Sequence, residues 1–194
     1  NSYATSYIPT LTGTTQTRVA ETCGGAGSSS SINSEEGVLY AEISALANDL
    51  TNRRISISDG SGSNRVIVGY NNADERVFGL VQSNGVVVFN SGSKEISDTK
   101  QMVKLAVRYK ENDFSFWVNG VKLATDISGD TPIDINNLSF TDQSGNDFYG
   151  NTKDLRVYNT ALSDEELIYL TGTLGEDYYD NYLEMSNNLN YTIQ

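Results

Sequence analysis

The sequence predicts an all-β fold, a sandwich or barrel of short antiparallel strands with one short helix near its end. Three observations carry this. Apolar and polar residues alternate with a period of two in many short runs, as a half-buried strand requires. Turn-forming Gly, Asn and Asp separate those runs, and the 194 residues contain only two prolines. A single segment carries the full chemistry of a helix start.

Residues 1–17 are polar and rich in Thr and Tyr. They read as an extended lead-in from an upstream domain. The stretch 24–34 is a Gly/Ser loop. After Gly37, Leu39, Ala41 and Ile43 alternate with Val38, Tyr40 and Glu42. Ile55 and Ile57 alternate with Arg54, Ser56 and Ser58, and Asp59-Gly60 closes the run. Val66, Val68 and Tyr70 follow, stopped by Asn71-Asn72. Runs 76–82 and 86–89 flank Ser83-Asn84-Gly85, and Asn-Gly tolerates the positive φ of a tight hairpin.

The clearest strand pair is 102–109 with 114–118. Val103, Leu105, Val107 and Tyr109 share one face, with Phe114, Phe116 and Val118 opposite them. Asn119-Gly120 turns the chain into 121–125, and later strands fall at 138–141 and 154–158. Ser163 and Glu166 form a capping box, with Leu162 and Leu167 at the positions of a hydrophobic staple. Gly172 is expected to end that helix in a left-handed conformation. Tyr178, Tyr182, Met185 and Leu189 are spaced for one helical face, so residues 173–194 read as a tail packed on the sandwich or on a partner.

Composition narrows the function. The net charge of −12 argues against nucleic acid and against anionic membranes, because both are bound through Lys and Arg. No apolar run approaches the roughly 20 residues of a membrane span. The chain contains no histidine, so a Ser-His-Asp or Cys-His mechanism cannot be assembled from it. Cys23 is the only cysteine and excludes an intrachain disulfide. The chain begins at Asn1 and reads as a piece of something longer.

Two segments resemble a known family. Phe116-Trp117-Val118-Asn119-Gly120 is an apolar strand ending in Val-Asn-Gly. Lys153-Asp154-Leu155-Arg156-Val157-Tyr158 is a strand, and Asn159-Thr160-Ala161-Leu162-Ser163-Asp164-Glu165-Glu166 then opens a helix. In that order they resemble a laminin-G-like domain of the concanavalin-A-like lectin/glucanase superfamily, over residues 18–172. The resemblance implies a two-sheet antiparallel jelly-roll sandwich and, often, recognition of carbohydrate or protein. Ser2-Tyr3-Ala4-Thr5-Ser6-Tyr7-Ile8-Pro9-Thr10, and the stretch from Tyr182-Leu183-Glu184-Met185 to Asn190-Tyr191, are similar to segments of phage and prophage tail or fibre proteins. This implies a virion or cell-surface location, neighbouring virion proteins as partners and a homotrimer as the assembly that fits a fibre.

No strand shows catalytic equipment. A retaining glycosidase needs two carboxylates about 5 Å apart, and Glu42 stands alone in its run. A lyase of this fold would use His, Tyr, Arg and Gln, and histidine is absent. The expectation is therefore a non-catalytic domain with no obligatory cofactor. Ca²⁺ is the cation that loop oxygens would suit, with Asp142, Asn146 and Asp147, or Asn71, Asn72 and Asp74, as ligands, though neither set has a calcium motif's spacing.

Aromatics give the better lead. Pairing 109 with 114 places Trp117 opposite Ala106, facing outward beside Arg108. A flat ring next to a bidentate donor can stack on and hydrogen-bond a sugar. Arg156 and Tyr158 share a strand face, and Tyr70 ends a strand beside a polar loop. The expected partner is a glycan, such as a bacterial surface polysaccharide, bound weakly per site and displayed multivalently. The alternatives are a structural or assembly module and, third, a polysaccharide-degrading enzyme.

Overall fold

The computed structural model describes residues 26–172, so the lead-in, Cys23 and the predicted C-terminal helix lie outside the described residues. Within them run β1 (Glu36–Ala45), β2 (Arg53–Ser58), β3 (Arg65–Tyr70), β4 (Arg76–Ser83), β5 (Val86–Asn90) and β6 (Lys94–Glu95). They are followed by β7 (Val103–Lys110), β8 (Phe114–Val118), β9 (Val121–Asp126), β10 (Asn137–Ser139), β11 (Gly150–Tyr158) and α1 (Asp164–Thr171). The strands make two antiparallel sheets. One has the order β11-β1-β7-β8-β9 and the other β10-β2-β3-β4-β5, with β6 completing the edge of β4 that β5 leaves open. The result is a jelly-roll sandwich.

The alternation read from the sequence sets the core. Ile55, Ile57, Val66, Val68, Tyr70, Val77 and Val81 on one sheet meet Leu39, Ala41, Ile43, Leu105, Val107, Phe114 and Phe116 on the other. Leu105, Val107, Phe114 and Phe116 have no exposed surface. Each such side chain contributes roughly 1.5–3 kcal/mol on burial, so this double layer is the dominant stabilising term. The hairpin register is the expected one, with Ala106 opposite Trp117 and Arg108 opposite Ser115.

Differences fall where alternation is short or absent. β11 begins at Gly150 because it follows β1 all the way to Ala45. As an edge strand it needs no apolar alternation along its exposed start. β10 stops at Ser139 because the chain turns away, and the Thr141 carbonyl accepts a hydrogen bond from Ser56 Oγ at 2.6 Å. β6 spans only two residues, too few to show a period.

Helix α1 starts with the predicted capping box. Ser163 Oγ accepts from the Glu166 N–H, and a Glu166 carboxylate oxygen accepts from the Ser163 N–H. Its end corrects the expectation of a left-handed cap. Gly172 is extended, with φ −76° and ψ 164°, and its N–H still donates to the Ile168 carbonyl. Lys104 Nζ holds the Gly172 carbonyl at 2.9 Å, drawing the chain onto the end of β7. Among the described residues no helix is long and apolar enough to cross a membrane.

Candidate ligand-binding site

The predicted Trp117 platform is closed, which corrects the expectation of an open indole. Trp117 does face away from the core, but α1 lies across it. Leu167 packs with Val38, Tyr40, Ala106 and Trp117 in a second apolar cluster, and only 2 % of Trp117 is exposed. Its Nε1 donates to Ser115 Oγ at 2.9 Å. Arg108 is likewise committed. It pairs with Asp113 at 2.7 Å and Asp164 at 2.8 Å and donates to the Leu162 carbonyl, so it ties the helix start to the sheet. Lys122 grips the same Asp164 and lies 5.2 Å from the indole centroid. Together these cations hold the Asp164 carboxyl below its ordinary range, the Lys122 hydrogen bond first.

Tyr70 is a core residue whose hydroxyl donates to the Ile43 carbonyl at 3.1 Å. Arg156 and Tyr158 do come together on β11. Arg156 pairs with Asp154 at 2.6 Å, donates to the Tyr158 oxygen at 3.5 Å and sits 6.0 Å above the Tyr40 ring.

The loop residues Asp142, Asn146 and Asp147 do not present converging free oxygens to a cation. Both Asp142 oxygens are used within the loop, one by the N–H groups of Ser144 and Asn146 and the other by the Asn146 amide. Asp147 accepts from the Tyr149 hydroxyl. No group of three acidic, histidine or cysteine side chains could hold a metal among the described residues. In the other loop, Asn71 turns toward an arginine and Asp74 accepts from Asn48.

The register also creates a carboxylate pair that strand-by-strand reading missed. Glu42 on β1 stands directly opposite Asp154 on β11. Cross-strand neighbours have Cβ atoms about 5 Å apart. Each acid is neutralised, Glu42 by Lys153 at 2.9 Å and Asp154 by Arg156.

A different surface offers recognition chemistry, the outer face of the six-stranded sheet. Arg54, Gly69 and Phe78 form one row across β2, β3 and β4. Arg54 and Phe78 are two strands apart, about 10 Å. Gly69 puts no side chain between them, so the guanidinium lies over the ring, its central carbon 3.6 Å from the centroid. No other residue fits at 69. Its φ is +153°, and a Cβ there would meet the Arg53 carbonyl oxygen at 2.0 Å.

The next rows hold Ile67 beside Leu80, then Arg65 beside Gln82. Arg54 Nη2 donates to the side-chain oxygens of Asn52 at 2.8 Å and Asn71 at 3.1 Å, and Asn71 in turn donates to Ser93 at 2.6 Å. Arg54 Nε is buried with no acceptor. Burial pushes this guanidinium down to about 10, with Arg65 adding to the shift and Asp142 opposing it. Arg65 donates to Gln82 Oε1 at 3.0 Å, to Ser144 Oγ at 2.7 Å and to the Asp142 carbonyl. The loop carrying Asp142 thus walls one side of the face. Arg54 and Phe78 are only 9 % and 5 % exposed, and the open part is the edge formed by half-buried Leu80, Gln82 and Asn71 with exposed Asn90. A planar cation on an aromatic ring, ringed by amides, can order the hydroxyls and ring face of a sugar.

A laminin G family model, described as Concanavalin A-like lectin/glucanases superfamily, matches residues 39–168. The chain belongs to this family. No curated protein matches its sequence. Solved structures share the concanavalin-A-like fold at low identity. The CBM40 of a Ruminococcus gnavus IT-sialidase, bound to α2,3-sialyllactose, is 17% identical with TM-score 0.56, covering 79% of this chain and 97% of that one. Domain 4 of AbnA, a GH43 extracellular arabinanase from Geobacillus stearothermophilus in complex with arabinotriose, is 12% identical with TM-score 0.59, covering 72% and 68%. A leech intramolecular trans-sialidase is 21% identical with TM-score 0.52 over 73% of this chain, which spans 24% of that enzyme.

Proposed function

We propose that this concanavalin-A-like domain binds carbohydrate without cleaving it, on the outer face of the six-stranded sheet. The observation that carries the proposal is the Arg54 guanidinium stacked on Phe78 and flanked by Asn52 and Asn71. The face combines an aromatic, two arginines and several amides, and those groups suit hydroxyl-rich ligands. Similar folds bound to sialyllactose and arabinotriose support the reading. The Ser2–Thr10 segment supports a setting in a phage or prophage fibre. There the domain, on a virion or cell surface, would contact bacterial glycans and neighbouring virion proteins, with weak sites multiplied in a homotrimer.

A glycan array probed with the 194-residue chain tests this. Binding is expected, and Arg54→Ala should abolish it while circular dichroism and Tm show a folded protein. An array without retained glycan, or binding indifferent to Arg54, would sink the proposal. One observation favours a second reading, cleavage of polysaccharide, namely Glu42 opposite Asp154. Reducing-end release from β-glucans or alginate that disappears in Glu42→Gln would establish it. The ion pairs that neutralise both acids make no release the expected result.

A further inference from the structure

The arginines of this acidic chain divide into two groups. Arg53, Arg76, Arg108 and Arg156 each pair with a carboxylate. Among the described residues, only Arg54 and Arg65 do not. They share the outer face of the six-stranded sheet, on adjacent strands β2 and β3. Their acceptors are all neutral: the Asn52, Asn71 and Gln82 amides, the Ser144 hydroxyl and the Asp142 carbonyl.

In a protein of net charge −12, two unpaired guanidinium groups on one face need explaining. Arg54 is the stronger case. It is 9 % exposed, and its hydrogen bonds run from Nη2 alone, to the amide oxygens of Asn52 and Asn71. A buried charge left without a counter-charge is costly, and here only two amide oxygens and the Phe78 ring offset it. The one acid in its field is Asp142, whose carboxylate is already capped by Ser144 and Asn146.

We infer that the glycan bound on this face is acidic, and that the carboxylate of a uronic or nonulosonic sugar is the missing counter-ion of Arg54, with Arg65 alongside. This rests on the carbohydrate reading and narrows it. A planar carboxylate matches the guanidinium fork, and partial exclusion of water by Phe78 and Leu80 strengthens the pair.

Calorimetric titration of the full chain separates the possibilities. The probes are 3′-sialyllactose and tri-galacturonate, each against its carboxyl-reduced form, with lactose and arabinotriose as neutral controls. The two acidic probes tell the two sugar classes apart. At least one should bind roughly tenfold or more tightly than its reduced form. That preference should shrink in Arg65→Gln and vanish in Arg54→Gln, and it should weaken as salt rises. The ligand arm needs no variant, so a poorly folding Arg54→Gln leaves the test intact. Equal binding of acidic and reduced sugars, lost in Arg54→Ala, would overturn the acidic class and keep the carbohydrate site. Absence of all glycan binding would overturn both.

Discussion

Truncating Leu167 to alanine tests how the outer face of the five-stranded sheet is closed. Leu167 is fully buried between α1 and the cluster of Val38, Tyr40, Ala106 and Trp117. Buried Leu→Ala changes cost about 2–5 kcal/mol, more where the cavity cannot collapse. Here one wall of the cavity is a single helix of eight residues, which can settle inward, so the lower part of that range applies, about 2–3 kcal/mol. For a chain of this size that lowers Tm by about 5–10 °C. An eight-residue helix is marginal alone, so loosening its anchor should expose the indole beneath. Trp117 is the only tryptophan, and its emission reports the event directly. The assay is urea unfolding followed by Trp117 emission, with Ile168→Ala on the half-exposed side of the helix as control. A loss under about 1 kcal/mol with an unshifted emission maximum would refute the reasoning.

Acid should open the same helix. The Asp164 carboxyl is depressed by Lys122 and Arg108, so its stabilising contribution is complete above its ordinary value, near pH 4, and is lost as pH falls through the lower folded value. Trp117 emission should therefore shift below about pH 4, and Asp164→Asn should remove that sensitivity. Gly69→Ala should cost roughly 2–5 kcal/mol, from clash with the Arg53 carbonyl and an unfavourable φ, measured by thermal unfolding. Stability within 0.5 kcal/mol of the parent (about the scatter of a surface substitution) would show that the row has room for a side chain.

Much of the sandwich was legible because period-two alternation survives wherever a strand buries one face. Val103 to Tyr109 and Phe114 to Val118 gave register, pairing and inward side correctly. The capping box was equally readable, since its residues lie within four positions. Trp117 was misjudged for a physical reason. Strand alternation says which side a residue takes, but the helix that covers that side arrives from 50 residues downstream. The Arg54–Phe78 stack and the Glu42–Asp154 opposition were invisible for the complementary reason. Each joins strands whose pairing no local pattern reveals. One signal was present, the polar face of Arg54, Ser56 and Ser58, unusual for a strand buried on both sides.

The tether at Gly172 has a practical consequence. Lys104 clasps its carbonyl and the Gly120 turn lies against it, so the chain passes residue 172 beside β7 and β8, across the sandwich from Arg54. A probe attached at residue 172 itself would therefore sit on the five-stranded sheet, with the arginine row on the opposite one.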